Sequence, residues 1–114
     1  DTDKLLSTLH EFSGVSVAIG NNVIRLNKLE FLSELGAPLP SIIHPSAVVS
    51  RYAKINDGSV ICAGVVVNAD SNIGFGSILN TACSIIYKKN YLSNLKISSK
   101  ATHFSASLAH GIFC

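Results

Sequence analysis

A six-residue periodicity in the middle of the chain constrains the fold more than any other feature of its 114 residues. Every sixth residue from Ile43 to Ile97 is apolar or aromatic, and a second series four places later holds small or modest-sized residues. The first series is Ile43, Val49, Ile55, Ile61, Val67, Ile73, Leu79, Ile85, Tyr91 and Ile97, and the second begins Ala47, Ala53, Ser59, Val65, Ser71, Ser77 and Cys83. An exposed strand repeats every two residues and a helix every 3.6, so neither produces this pattern.

The pattern predicts a mainly β fold, a parallel β-helix in which each hexad forms one short side of a triangular coil. The aliphatic residue points inward, and the small residue fits the tight corner. Successive coils stack at about 4.8 Å, so each aliphatic residue lies on its counterpart in the next coil. The hexads are clear from residue 42 to about 101, which corresponds to roughly three coils or slightly more.

The residues before the hexads predict a different kind of structure. Residues 14–20 form a short apolar run between two glycines, which is typical of a buried parallel strand. Asn21 and its neighbour can cap a helix over about residues 23–35. Gly36 ends this helix, and the prolines that follow, Pro38 first, prevent it from resuming.

Two further features of this region indicate an incomplete α/β domain. Residues 4–11 resemble the end of an earlier helix, and Ile24, Phe31 and Leu35 form an apolar line along the predicted second helix. The order helix, strand, helix is the closing third of a doubly wound α/β unit. Because a buried parallel strand needs neighbouring strands, we expect the first part of the domain to be missing. We therefore divide the chain into an α/β remnant, 1–40, and a β-helix, 41–114.

Charge is distributed unevenly along the chain. The formal charge of +2 combines a net −2 over residues 1–40 with four lysines and no carboxylate after residue 83. These lysines are not interleaved with aromatic residues or accompanied by an arginine cluster. We therefore interpret them as solvated side chains and expect no nucleic-acid partner.

The remaining composition excludes several other classes of protein. No apolar run approaches the roughly 20 residues that span a bilayer, so we expect no membrane insertion. No export leader is recognisable, which predicts a cytoplasmic location, and the absence of methionine indicates a processed chain or part of a longer one. The three cysteines and four histidines do not occur at zinc-ligand spacings, so we expect no metal site.

Five stretches of the chain occur in a characteristic order: Val17–Asn22 with Arg25, Leu39–Ala47, Val60–Gly64, Asn72–Gly76 and Ile78–Thr81. Together they resemble the sialic-acid O-acetyltransferase and UDP-amino-sugar N-acetyltransferase family of hexapeptide-repeat acyltransferases. The linked order of an α/β tail, an Ile-His-Pro-Ser-Ala junction and hexads ending in Asn-Thr is more specific than any single hexad. The resemblance covers roughly two-thirds of the chain and stops at about residue 85.

The resemblance implies a fold, an activity and partners. The fold would be the C-terminal part of a small Rossmann-like sugar-nucleotide domain followed by a left-handed β-helix. The activity would be acetyl transfer from acetyl-CoA to a sugar or nucleotide-sugar in bacterial surface glycan synthesis. Members form homotrimers and bind acetyl-CoA between neighbouring β-helices. On this basis Asn80, Thr81 and Lys96 are candidate contacts for acetyl-CoA or substrate.

The same resemblance places the general base at a position where this chain has no histidine. The base is needed to take a proton as the acceptor attacks the thioester. It falls within residues 86–88, and Tyr87 is the candidate at this position, although a tyrosine with its ordinary pKa of about 10 is a poor base at neutral pH. An alternative interpretation is therefore a truncated, catalytically inactive relative that serves only as a β-helix assembly module.

Three further residues or motifs have structural interpretations. His44, which precedes Pro45 and Ser46, is interpreted as the donor or acceptor of a hydrogen bond within a turn. The segment 74–76, Gly-Phe-Gly, is interpreted as a coil corner because it opens no helix. Asn80 has two interpretations, a contact for acetyl-CoA or a member of an asparagine ladder at a corner.

Overall fold

In the computed structural model, the described part of the chain is residues 2–85 together with the backbone of two short strands, 96–97 and 112–113. Helical structure comprises α1 (Thr2–Thr8), a 3₁₀ turn (Leu9–Glu11) and α2 (Asn22–Glu34). The strands are β1 (Ile42–Ile43), β2 (Val48–Val49), β3 (Lys54–Ile55), β4 (Val60–Ile61), β5 (Val66–Val67), β6 (Asn72–Ile73), β7 (Ile78–Leu79), β8 (Ser84–Ile85), β9 (Lys96–Ile97) and β10 (Ile112–Phe113). The hexads expected over residues 86–95 and 98–101 lie outside the described residues.

The strands form three small sheets that are parallel except at one edge. The sheet orders are β1-β4-β7-β9, β2-β5-β8-β10 and β3-β6, and only β10 runs antiparallel to its neighbour. Paired residues in the parallel ladders are 18 positions apart, as in Ile43, Ile61 and Leu79. Eighteen residues are three hexads, so the chain returns to the same sheet after every third strand. The prediction of a mainly β fold with parallel, stacked hexads is confirmed.

Both residue series of the hexads lie inside the coil. From β4 onwards the aliphatic series is 0–1% exposed, and the small series from Ser59 to Cys83 is 0–2% exposed. The buried serines have partners: the hydroxyls of Ser59 and Ser77 donate to the carbonyl of Gly74 over 3.0 and 2.7 Å. The first coil is less covered, because the side chain of Ile43 remains 44% exposed. Among the described residues the first coil has a neighbouring coil on one side, and its inward side chains are less buried than those from β4 onwards.

In five consecutive hexads one corner residue has a left-handed backbone conformation. From residue 58 to residue 82 every sixth residue has a φ between +63° and +71°. Three of the five are glycines, whereas Asp70 and Ala82 carry side chains that disfavour this conformation. The amide of Ala82 donates to the carbonyl of Ala63 in the coil before it, over 2.9 Å. The regular coil therefore imposes the conformation on residues that would not adopt it alone.

Helix α2 begins and ends where the sequence predicts, to within one residue. The side-chain oxygen of Asn21 accepts a hydrogen bond from the amide of Ile24 over 3.0 Å, which caps the first turn. At the other end Gly36 has a φ of +76° and donates to Ser33, while Ala37 donates to the carbonyl of residue 32. This pair of bonds is a Schellman motif, which satisfies carbonyls of the last turn.

The prediction of a buried parallel strand at residues 14–20 is wrong. The segment is extended, but it pairs with no strand in the described part of the chain, and alternate residues such as Ser16 and Ala18 are exposed. Its amide at Val15 donates to the carbonyl of Pro38 over 2.9 Å. The apolar run is suited to a sheet, but the neighbouring strands that would bury it are not among residues 2–85.

The buried face of α2 also differs from its predicted apolar line. Ile24, Phe31 and Leu35 are 41–50% exposed. The residues turned towards the rest of the protein are instead Arg25, Leu29 and Leu32, and the two leucines form a second small core with Ala37, Leu39 and Phe75 of the coil. One side of α2 is buried against the coil, whereas no sheet among residues 2–85 covers its other apolar side.

Candidate functional site

The predicted site lies on one corner of the coil, which we call the Asn80 corner. It comprises three stacked turns, residues 44–47, 62–65 and 80–83, that connect the first sheet to the second. In the last of these turns, residues 80–83, Asn80 is half-buried and Thr81 is exposed. The backbone carbonyl of Asn80 accepts a hydrogen bond from the amide of Cys83 over 3.2 Å. The Asn80 side chain takes no part in this bond.

The register tests one of the two interpretations of Asn80, the asparagine ladder. The residues stacked above it, 18 and 36 positions earlier, are Cys62 and His44 rather than asparagines. The interpretation as an asparagine ladder is therefore wrong among the described residues at this corner. An asparagine pair does occur on a different side, where the amide of Asn56 donates to the side-chain oxygen of Asn72 over 2.8 Å.

Of the other two predicted site residues, only the backbone of Lys96 is among the described residues. The backbone of Lys96 pairs with Ile78 in β7, so β9 adjoins the strand that leads directly to Asn80. Lys96 therefore lies in the strand next to β7, the strand that ends just before Asn80. Tyr87, at the predicted position of the general base, lies outside the described residues.

The first turn of the Asn80 corner, residues 44–47, contains a compact hydrogen-bond network. The amide of Ser46 donates to Nδ1 of His44 over 3.0 Å, and the Ser46 hydroxyl lies 2.8 Å from the same nitrogen. The amide of Gly64, in the next coil, donates to the Ser46 Oγ over 3.0 Å. His44 and Ser46 are both exposed. The interpretation of His44 as a turn residue is confirmed, and the network also ties the first coil to the second.

A buried arginine connects α2 to the coil, and the sequence analysis assigned it no role. Arg25 is 0% exposed and donates from Nε to the carbonyl of Gly76 and from Nη1 to the carbonyl of Ile19, each over 3.0 Å. Its Nη2 donates to the side-chain oxygen of Asn22 over 3.0 Å. Burial lowers the pKa of Arg25 because desolvation disfavours the charged form. An arginine remains charged at neutral pH, so the cation is held here by its hydrogen bonds.

The position of Arg25 was detectable in the sequence as a spacing. Arg25, Leu29 and Leu32 follow one another at intervals of four and three residues, so they share one face of a helix. A single arginine in such an apolar face indicates either a buried cation with carbonyl partners or a side chain that reaches water. The structure shows the first.

Among the residues that the structure describes, no group of three or more His, Cys, Asp or Glu side chains could hold a metal ion. No helix there is both long enough and apolar enough to cross a bilayer.

Comparison with solved structures places this architecture beside acetyltransferases. No protein-family model matches the chain. It is 37% identical to the acetyltransferase domain of PglB from Neisseria gonorrhoeae FA1090 in complex with acetyl coenzyme A, with a TM-score of 0.73 over 80% of this chain and 46% of that one. It is 35% identical to PerB from Caulobacter crescentus in complex with CoA and GDP-perosamine, with a TM-score of 0.76 over 82% and 46%.

These similarities define the class of protein that the chain resembles. Both neighbours are matched in sequence as well as in fold, and both were solved with a coenzyme A ligand. The Caulobacter protein is a perosamine N-acetyltransferase. The chain spans less than half the length of either neighbour. It is thus similar to about half of an acetyl-CoA-dependent sugar N-acetyltransferase.

Proposed function

We propose that this chain is part of an acetyl-CoA-dependent acetyltransferase that acts on a sugar or nucleotide-sugar in bacterial surface glycan synthesis. The observation that carries the proposal is its 37% identity, over 80% of the chain, to an acetyltransferase domain in complex with acetyl coenzyme A. An amine is the better-supported acceptor, because the Caulobacter neighbour is a perosamine N-acetyltransferase. We assign the enzyme to the cytoplasm, where acetyl-CoA and nucleotide-sugars are both found.

The proposal includes a division into two parts. Residues 1–40 would be the remnant of a Rossmann-like sugar-nucleotide domain, and residues 41–114 a left-handed β-helix. Two separate hydrophobic clusters support this division, one inside the coil and one built on Leu29 and Leu32 of α2. The exposed apolar line of α2 supports it too, because a helix in a doubly wound domain packs one side against a sheet.

Acetyl-CoA would be held at the Asn80 corner. Asn80 offers an amide that can both donate and accept, and the exposed hydroxyl of Thr81 can do the same. These are suitable partners for the amide groups of the pantetheine arm. Lys96 would lie beside them as a further contact for acetyl-CoA or substrate. Bound there, acetyl-CoA supplies an activated acetyl group as its thioester, and the acceptor needs a base to remove its proton.

We further propose that the active form is a homotrimer. The outward positions of the first sheet, Ile42, Val60 and Ile78, are aliphatic, and so are Val48 and Val66 on the second. Val48 is 64% exposed and Ile42 is 46% exposed. Uncovered apolar faces favour association, and two different faces on one subunit can contact in a head-to-tail ring. Sedimentation should therefore show a trimer, whereas a monomer would contradict this part of the proposal.

The alternative function is a non-catalytic β-helix module, and a specific sequence observation favours it. The three residues at the expected base, Ile86, Tyr87 and Lys88, contain neither a histidine nor a carboxylate. Such a module would still be expected to form trimers. It would release no CoA from acetyl-CoA in the presence of any acceptor sugar.

Thiol release distinguishes the two functions. The protein is mixed with acetyl-CoA and with a UDP-amino-sugar, a GDP-linked amino sugar or sialic acid, and free CoA is measured. Saturable CoA release supports the transferase, and a trimer that releases none supports the module. The double variant Tyr87→His, Lys88→Asp then tests the base. Turnover gained by this variant would identify the missing base as the limiting factor.

A further inference from the structure

The hydrogen bonds around His44 determine which of its ring nitrogens carries the proton. A backbone amide can only donate, so the amide of Ser46, 3.0 Å from Nδ1, requires that nitrogen to be an acceptor. The neutral ring therefore carries its proton on Nε2. A neutral His44 cannot take a proton at Nε2, and the only nitrogen open to one is Nδ1.

The group positioned to deliver a proton to Nδ1 is the hydroxyl of Ser46. Its Oγ lies 2.8 Å from Nδ1 and already accepts the amide proton of Gly64 over 3.0 Å. With one donor already directed at Oγ, the hydroxyl proton is free to point at Nδ1. An oxygen held by a backbone amide and paired with an unprotonated imidazole has the arrangement of an activated nucleophile.

We propose that Ser46 is an acylation site at which His44 acts as the general base. The acyl donor is a thioester, the chemical class that includes acetyl-CoA. The Ser46 oxygen forms a bond to the thioester carbonyl carbon, and the carbon–sulfur bond breaks. The hydroxyl proton passes to Nδ1 and from there to the departing thiolate, so the products are an O-acyl serine and a free thiol. While Nδ1 is protonated, its contact with the Ser46 amide must open.

Exposure and location make this site accessible to a donor. His44 and Ser46 are both exposed on the Asn80 corner, in the coil farthest from Asn80 among the three described turns. Two stacking steps separate the turns of His44 and Asn80, which corresponds to about 10 Å at the usual strand spacing. The acylation site therefore lies on the same corner as the proposed acetyl-CoA contacts Asn80 and Thr81 but two coils away from them, and a thioester that does not use those contacts can test it separately.

The test uses a small thioester that needs no coenzyme A site. The protein is incubated with S-acetyl-N-acetylcysteamine and, in a parallel arm, with acetyl-CoA, and the acetylated residues are located by peptide mass spectrometry. Neutral hydroxylamine first removes any cysteine thioester, and alkaline hydroxylamine then separates serine esters, which are cleaved, from lysine amides, which are not. We expect an ester at Ser46 with the small thioester, whatever the outcome of the acetyl-CoA arm.

Three variants separate chemistry from turn structure. His44→Asn keeps a side-chain acceptor for the Ser46 amide but provides no base, so acylation should slow by about 100-fold, as for the loss of a general base. Ser46→Ala should remove the ester. Ser50→Ala is the control, because Ser50 lies six residues after His44 and its hydroxyl accepts the amide of Tyr52 over 3.1 Å, as Nδ1 of His44 accepts that of Ser46.

Circular dichroism of each variant confirms that the coil is retained. The proposal is overturned if Ser46 in the folded protein remains unmodified by the small thioester. It is equally overturned if His44→Asn is acylated at the wild-type rate, or if Ser50 is modified as fast as Ser46. Failure of acetyl-CoA binding alone would affect the proposed transferase function and leave the Ser46 site standing.

Discussion

Replacing Arg25 with methionine removes a buried cation that joins α2, the extended segment before it and the coil. Methionine retains most of the apolar stem, so the main loss is that of the hydrogen bonds. The bond from Nε to the carbonyl of Gly76 is buried, and those to Ile19 and Asn22 are partly buried. The variant therefore isolates the polar contribution of a single side chain.

The expected cost follows from these contacts. A hydrogen bond to a charged group contributes about 1.5–3 kcal/mol, and a buried carbonyl left without a partner costs about 1–3 kcal/mol. Relief from burying the charge offsets part of this, since desolvation of Arg25 is unfavourable. We expect a net loss of about 3 kcal/mol in the free energy of unfolding. For a chain of this size that corresponds to roughly 12–24 °C in melting temperature.

Urea denaturation followed by circular dichroism measures this loss, with Arg51→Met as the matched control. Arg51 is exposed and bonds only locally among the contacts seen, donating to the hydroxyl of Tyr52 over 2.6 Å and lying 4.8 Å from its ring. Its replacement should cost less than about 0.5 kcal/mol. If Arg25→Met were no more costly than Arg51→Met, Arg25 would not hold α2 against the coil.

Four further substitutions test the packing and the corners of the coil, each by the change in the free energy of unfolding in urea. Ala82→Gly should stabilise by about 0.5–1 kcal/mol, because relief of the +63° φ exceeds the entropy that glycine adds to the unfolded chain; destabilisation would show that the corner is unstrained. Gly58→Ala should cost about 1–3 kcal/mol, since φ is +71° and the new Cβ would lie 3.2 Å from a methyl group of Leu29; a neutral result would contradict that contact. Ile73→Ala should cost about 2–5 kcal/mol at 0% exposure, whereas Val48→Ala at 64% exposure should cost under about 0.5 kcal/mol; equal costs would contradict the inward phase of the hexads.

The hexad pattern predicted the coil because the aliphatic residue of each hexad must be buried, and the interior of the coil is where it can be buried. An aliphatic residue every sixth position is buried only if three hexads close one turn, and the observed spacing of 18 between paired strands follows from that. The small residues were predicted for the same reason, because they lie where the corners are tight. Ser59, Ser71 and Ser77 show that a small polar residue also suits this place, the hydroxyls of Ser59 and Ser77 donating to a carbonyl.

Other features depended on information that is not local. Asp70 and Ala82 adopt a left-handed conformation at corners where their amides donate to the preceding coil, and an alanine by itself does not indicate this conformation. The segment 14–20 has the composition of a buried strand, but burial requires partner strands that residues 2–85 do not provide. The role of Arg25 was not predictable, because its spacing in the helix cannot show which carbonyls the guanidinium reaches, and Gly76 is 51 residues away.

The candidate site was predictable only in part. Asn80 and Thr81 were singled out by resemblance, and the register places them at one corner. The stacking of His44 and Cys62 above Asn80 follows from the period of 18, which the hexads imply once three of them are assigned to a coil. The network of Ser46 with His44 and Gly64 required coordinates, because it crosses from one coil to the next.

Calorimetric titration of the protein with acetyl-CoA tests the central claim most directly. The account predicts saturable binding that Asn80→Ala weakens by about tenfold, the effect of losing one hydrogen bond of about 1.4 kcal/mol. The backbone bond from Cys83 to the Asn80 carbonyl is independent of that side chain, so the corner should persist in the variant. Ser50→Ala should bind as the wild type does. No binding at millimolar acetyl-CoA, or equal affinity for the wild type and Asn80→Ala, would contradict the account.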